Sequence, residues 1–207
     1  MNSYTPGWED IAVTVAGSKH SVVGLPAEDA SAVSAPFDCC SFMVVADGAG
    51  SAPQGGRGSQ LAVEAAVEIL DYLLDWWRPT CQQEWEHLVR AVALTARYAI
   101  EEAASRDNTQ SLADFATTFL VVGVSEDLGV AASVGDCAAV LECDSEGETQ
   151  LLLLAPPQNG EYANQTYFLT DDSWEKALNI SYAEGLVKYG VAFSDGLQYI
   201  ALNRDKP

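Results

Sequence analysis

The chain has 207 residues, 48% of them hydrophobic, with 30 acidic against 10 basic side chains and a formal net charge of −20. That length and apolar content suit one folded domain and exclude a disordered chain. The charge repels phosphate backbones and anionic lipid surfaces, which excludes nucleic acid and membrane as partners.

Residues 10–17 alternate, with Ile11, Val13 and Val15 on one side, and read as a first strand. Residues 30–34 and 42–46 read as a strand pair turned at Ala35-Pro36-Phe37-Asp38. Residues 58–77 are helical: Val63, Ala66, Val67, Leu70, Leu73, Leu74 and Trp77 form an apolar stripe, and Glu64, Glu68, Asp71 and Asp75 the polar face. Thr80 and Gln83 read as a capping box for a second helix reaching about Ala104. Trp76, Trp77 and Trp85 are assigned to core or helix-pair packing. Strands follow over 115–124, 129–134, 137–143, 151–154, 167–169, 178–182 and 188–193, joined by turns of hairpin length. Such turns favour antiparallel pairing over βαβ crossovers, with the helices covering a sheet face.

Cys39, Cys40, Cys81, Cys137 and Cys143 are odd in number and form no Cys-x-x-Cys pair. They read as buried, reduced thiols of a cytoplasmic protein. The N-terminus lacks a secretory apolar region, and no stretch has the ~18 apolar residues of a membrane span.

Three acidic points stand at the edges of apolar segments. Phe42-Met43-Val44-Val45-Ala46 ends abruptly in Asp47-Gly48, followed by a Gly/Ser/Pro loop and a helix. Tyr189-Gly190-Val191-Ala192-Phe193-Ser194 ends in Asp195-Gly196, and Glu28-Asp29 precedes Ala30. Carboxylates so placed can collect around hard cations, which prefer oxygen ligands. Each also has a plainer reading. Asp47-Gly48 can be a hairpin turn, Asp195 a helix N-cap, Glu28 and Asp29 a solvated turn, and Asp136 a turn between strands. His20 can be a hydrogen-bonded structural side chain.

Gly17-Ser18-Lys19-His20, Gly24-Leu25-Pro26-Ala27-Glu28-Asp29-Ala30, Val45-Ala46-Asp47-Gly48, Ala116-Thr117-Thr118, Val134-Gly135-Asp136-Cys137 and Phe193-Ser194-Asp195-Gly196-Leu197 occur in that order. Together they resemble the PP2C (PPM) family of metal-dependent Ser/Thr protein phosphatases. The Ser18-x-His20 and Gly24-x-Pro26 spacing and the segment Gly160-Glu161-Tyr162-Ala163-Asn164-Gln165-Thr166 resemble its divergent bacterial branch. The resemblance implies an α+β fold, a four-layer α/β/β/α sandwich of two antiparallel sheets flanked by helix pairs. It implies two Mn²⁺ or Mg²⁺ ions. Asp47 would bridge them, Gly48 would offer its carbonyl, and Glu28, Asp29 and Asp195 would be further ligands, with Asp136 for a weaker third ion. Hydrolysis of phosphoserine and phosphothreonine by a metal-bridged hydroxide is the implied reaction, with Asp47 and His20 as catalytic residues. The implied partner is a phosphorylated protein, a Ser/Thr kinase or its target.

The chain departs from the family pattern in four places. No Arg precedes Glu28-Asp29, Ala49 follows Asp47-Gly48 where many members have His, and Gly-Asp-Ser-Arg is Gly135-Asp136-Cys137-Ala138. No acidic residue occupies the family's last ligand position before Pro207, so residues 1–207 are expected to be one phosphatase domain lacking its C-terminal end. The missing Arg and final ligand favour a rival reading, a catalytically weak phosphoprotein-binding or regulatory module; Asp47 and Asp195 favour the enzyme.

Overall fold

The computed structural model describes residues 9–16, 27–37, 40–106, 111–145, 147–158 and 166–202. Strands β1 (Asp29–Phe37) and β2 (Cys40–Asp47) are followed by helices α1 (Gly55–Leu74) and α2 (Gln82–Ser105). A 3-10 turn at Leu112–Phe115 leads into β3 (Phe119–Ser125), β4 (Leu128–Val134), β5 (Ala138–Ser145) and β6 (Glu148–Ala155). A short helix α3 (Trp174–Ala177), β7 (Asn179–Glu184), β8 (Leu186–Phe193), a 3-10 turn at Asp195–Leu197 and α4 (Gln198–Ala201) complete the order.

Every strand pair is antiparallel, as the short turns predict. One sheet has the order β1-β2-β3-β4-β7 and the other β6-β5-β8. Because side chains alternate across a strand, β2 serves two cores. Phe42, Val44 and Ala46 face α1 and α2, while Val45 faces the second sheet. In the same way Phe119 and Val121 of β3 pack under the helices, and Leu120, Val122 and Val124 pack between the sheets. Burial on both faces is why these strands read as unbroken apolar runs.

The architecture is therefore α+β, with a helix pair on the five-stranded sheet and the three-stranded sheet beneath it. Among the described residues no helix pair covers the far face of the smaller sheet. There Leu151, Leu153, Tyr189 and Val191 are exposed. No helix of the described residues is long and apolar enough to cross a membrane.

Several local expectations are corrected. Residues 9–16 form no strand: Ile11, Val13 and Val15 are 85%, 70% and 76% exposed. Alternation marks a strand only where the segment joins a sheet ladder, and two side-chain hydrogen bonds help to hold this one. Thr14 Oγ1 lies 2.8 Å from Ser31 Oγ, and Ser41 Oγ donates to Asp10 Oδ1 at 2.7 Å. Residues 167–169 are not a strand but enter a turn fastened by a buried cation. The Arg97 guanidinium donates to the carbonyls of Leu169 at 2.6 Å and Asp171 at 2.7 Å, and its Nε to Glu101 at 2.7 Å. The Thr80–Gln83 capping box does not form. Cys81 is the N-cap residue, and Thr80 instead donates its N–H and hydroxyl to Glu84 at 2.7 and 2.9 Å. A capping box does form at Ser111 and Asp114, at the 3-10 turn that follows α2.

Trp85 is buried and stacked on Phe42 at 5.5 Å, but Trp76 is 67% exposed and meets Tyr72 edge-on. Asp71, assigned to the solvated face, accepts a hydrogen bond from Ser34 at 2.9 Å. Cys40, Cys137 and Cys143 are buried free thiols, whereas Cys81 is exposed.

Candidate metal centre

The apolar run of β2 ends where the sheet opens, and Asp47 is its last residue. Asp29 opens β1, and the two are direct cross-strand partners. Like charges directly opposite on a sheet repel, so this pairing needs compensation. The loop after Asp47 is pinned on all sides. Gly48 N–H donates to the Glu28 carbonyl at 3.1 Å, Ala49 N–H to the Ala116 carbonyl at 2.9 Å, and Ser59 Oγ of α1 also donates to the Glu28 carbonyl. A side chain at Gly48 would strike Gly55 backbone at 2.4 Å, so the glycine lets the first turn of α1 close over the loop. The Glu28 carboxylate turns toward Gly50, its Oε2 3.3 Å from where a β-carbon there would stand.

Asp195 arrives from the other sheet, at the end of β8, with its side chain exposed. The adjoining Ser194 Oγ donates to Asp29 Oδ2 at 2.8 Å, which joins the end of β8 to the start of β1. Asp136 lies in the β4–β5 turn. Thr166 Oγ1 donates to its Oδ2 at 3.0 Å and Gln198 Nε2 to its carbonyl at 2.5 Å.

Glu28, Asp29, Asp47, Gly48 and Asp195 thus line one cavity, which continues as a groove along residues 11–16 and β8 for a total of about 710 Å³. None of the described lining residues is Lys, Arg or His. Asp136 sits at the margin and acts through charge. His20 lies outside the described residues, as do the other residues of 17–26 and 159–165 quoted for the family resemblance. Among the described residues no three His, Cys, Asp or Glu side chains are grouped closely enough to hold a metal ion as they stand.

The electrostatics test whether a cation fits. The Asp47 carboxyl is pushed from 3.8 up to about 9, first by burial, then by the charge and hydrogen bond of Asp29, then by Asp195 and Asp136. Burial raises Asp136 as well, against the Thr166 hydrogen bond. A cluster of carboxylates has the donor set of a hard divalent cation, oxygen only, and a negative charge that such a cation cancels. An all-oxygen donor set of this kind is the chemistry that suits Mg²⁺ or Mn²⁺. Zinc prefers Cys and His, and the nearest thiol, Cys137, is held protonated by burial.

Thr117 and Thr118 matter more to Asp47 than the sequence suggests. The Thr118 N–H and the Thr117 hydroxyl both donate to the Asp47 carbonyl, at 2.9 and 3.0 Å. The Asp47 N–H donates to Thr118 Oγ1 at 2.9 Å. The available signal was two adjacent hydroxyl residues at the mouth of an apolar strand; their target was not readable.

This edge of two packed antiparallel sheets, lined by Asp-Gly strand ends, defines a metal-dependent phosphatase class. The family profile of protein phosphatase 2C matches residues 16–207, and the chain belongs to this family of serine/threonine protein phosphatases, in its bacterial branch. The serine/threonine-protein phosphatase 3 of Escherichia coli (strain K12) is 30% identical over 201 residues, covering 95% of this chain and 76% of that protein. Among solved structures, the serine/threonine phosphatase Stp1 from Staphylococcus aureus superposes with a TM-score of 0.64 at 17% identity, over 87% of this chain and 74% of that one. A bacterial serine phosphatase gives 0.63 at 18%, over 83% and 73%.

Proposed function

We propose that the chain hydrolyses phosphoserine and phosphothreonine in proteins phosphorylated by Ser/Thr kinases, using two Mn²⁺ or Mg²⁺ ions at the Asp29–Asp47 edge. Asp47 is the shared ligand. The Gly48 carbonyl, Glu28, Asp29 and Asp195 are the others, and Asp136 serves a weaker third ion. His20 is carried as the second catalytic residue on sequence grounds. When bound, two such cations supply an activated water and neutralise the phosphoryl oxygens during in-line displacement.

The observation that carries this reading is the face-to-face placement of Asp29 and Asp47, with Asp47 held mostly out of water. Two acids held opposite each other at a sheet edge cannot both be ionised without cost, so they either share a proton or hold a cation between them. The chain's own part is to fix these acids. Hydrogen bonds from Gly48 and Ser59 set the Glu28 carbonyl, that from Ser194 sets Asp29, and those from the two threonines set Asp47. The described cavity offers a phosphate no guanidinium or ammonium, so the cations must also bind the substrate's charge.

Mn²⁺ at about a hundred times its dissociation constant should raise the melting temperature of the metal-free protein by about 5–10 °C, since a ligand of the folded state adds about 2.7 kcal/mol there. Hydrolysis of a phosphothreonine peptide should require the same ion. Identical melting curves in Mn²⁺ and in chelator would sink the proposal. A shifted melt with no hydrolysis would instead describe a phosphoprotein-binding module.

A further inference from the structure

Behind Asp47, on the side away from the cavity, a hydroxyl and a thiol meet in the core. Continuing the β2–β3 register from Val45 opposite Leu120 by two residues places Asp47 opposite Thr118. A regular ladder would give the Asp47 N–H to the Thr118 carbonyl. Instead that N–H goes to the Thr118 side chain, and the Thr118 carbonyl accepts from Thr117 Oγ1 at 3.1 Å. The Thr118 hydroxyl therefore occupies the place of a backbone acceptor.

That hydroxyl is itself held from behind. Its Oγ1 lies 3.2 Å from Cys137 Sγ, with all of Thr117, Thr118 and Cys137 buried. The β4–β5 turn presses on the same threonine. Gly135 has φ +104°, and a β-carbon there would come 2.6 Å from the Thr118 methyl. Threonine has few χ1 choices, and this packing leaves the hydroxyl pointing at Asp47. Side-chain rotamers follow backbone dihedrals, so the direction of the Asp47 carboxylate depends on how its peptide is held.

We propose that Thr118 and Cys137 form a positioning device for Asp47, the hydroxyl aligning the Asp47 peptide and the thiol aligning the hydroxyl, so that both set the affinity for the divalent cation. The inference rests on the cation reading above. Neither residue touches the cation; they act through Asp47. Groups behind a metal ligand commonly change affinity 10- to 100-fold when removed, whereas a residue that only stabilises the fold lowers the melting temperature and leaves affinity unchanged.

The test is calorimetric titration of metal-free protein with Mn²⁺, well below the melting temperature, for wild type, Thr118→Val, Thr118→Ser, Cys137→Ala and Cys137→Ser, with a melt of each. Thr118→Val keeps the shape and deletes the hydroxyl. It should weaken Mn²⁺ about 10- to 100-fold, and Cys137→Ala about 10-fold. Thr118→Ser and Cys137→Ser should stay near wild type. In turnover, the two weakened variants should need more Mn²⁺ but recover most of kcat at saturation. If wild type binds Mn²⁺ and both Thr118→Val and Cys137→Ala bind it within about twofold of wild type, the device is overturned while the cation reading stands. A flat wild-type titration overturns both. If Thr118→Val melts too low to titrate, Cys137→Ala against Cys137→Ser decides: equal affinities overturn the proposal.

Discussion

Asp47→Asn should lower Mn²⁺-dependent turnover on the order of 10³-fold and, in the metal-free protein at pH 8, raise the melting temperature by at least about 3 °C. The two effects have one cause. A shared ligand needs its charge and both oxygens, and the amide keeps neither. Loss of several kcal/mol of cation-borne stabilisation is three decades in rate. Stability moves the other way, because the Asp47 carboxyl titrates near 9 in the fold against 3.8 ordinarily. Between those values the folded chain holds a proton that the unfolded chain has released. The Asp47 contribution to the stability of the metal-free protein is then full below about pH 4 and falls as pH rises toward 9, by at most about 1.4 kcal/mol per unit. Asn removes that slope. Melts from pH 5 to 8.5 in chelator, set beside peptide hydrolysis at saturating Mn²⁺, measure both. Near wild-type turnover would remove Asp47 from the site, and parallel melt-versus-pH curves would remove the electrostatic account.

Gly58→Ala should destabilise the protein by about 2–3 kcal/mol. In an exposed helix the change would stabilise by about 1 kcal/mol, since alanine is the better helix former. Here Gly58 is buried in α1, and a β-carbon would stand 2.1 Å from the Phe115 carbonyl oxygen. That neighbour is backbone and cannot rotate away. The first turn of α1 is also tied to the same 3-10 turn by Gln54 N–H, which donates to the Asp114 carbonyl at 2.8 Å. Helix and turn must separate, and the overlap outweighs the propensity. Urea denaturation of metal-free protein reads the difference. Phe115 leads directly into Thr117 and Thr118, so Mn²⁺ affinity should fall with it. A variant more stable than wild type would mean that the two backbones part at little cost.

What was legible in the sequence was mostly what depends on neighbours along the chain. The apolar run ending in Asp47-Gly48 announced a carboxylate at a sheet edge, and the same pattern announced Asp195. The helix pair followed from its stripes, though α1 begins at Gly55, because two glycines at its start are tolerated where the loop packs closely. Contacts across the fold were not legible. Asp29 and Asp47 appeared as two separate acidic points, and only the β1–β2 register makes them opposites. Thr118 meets Cys137 19 residues away, a contact that no local spacing encodes. Thr80 satisfied a capping pattern, yet the helix is capped one residue later, at Cys81, so Glu84 rather than Gln83 stands three residues past the cap and takes the Thr80 hydrogen bonds. Residues 9–16 satisfied a strand pattern, yet they join neither sheet, and a place in a ladder is not a property of the segment itself.

That none of the described residues lining the cavity is basic has a kinetic consequence. Enzymes of anionic substrates commonly use positive fields to speed encounter, and salt slows them. This chain carries −20 and turns an acidic mouth toward a phosphorylated partner. Long-range steering is therefore repulsive. Added salt, which shortens the screening length from about 30 Å at 0.01 M to about 8 Å at physiological strength, should increase kcat/KM for a net-negative phosphopeptide. Substrates with lysine or arginine around the phosphorylated residue escape the barrier and meet the site fastest at low salt. Selection among phosphoproteins should then begin at a distance, through the charge of the sequence around the phosphate, which the salt dependence of kcat/KM for acidic and basic phosphopeptides checks.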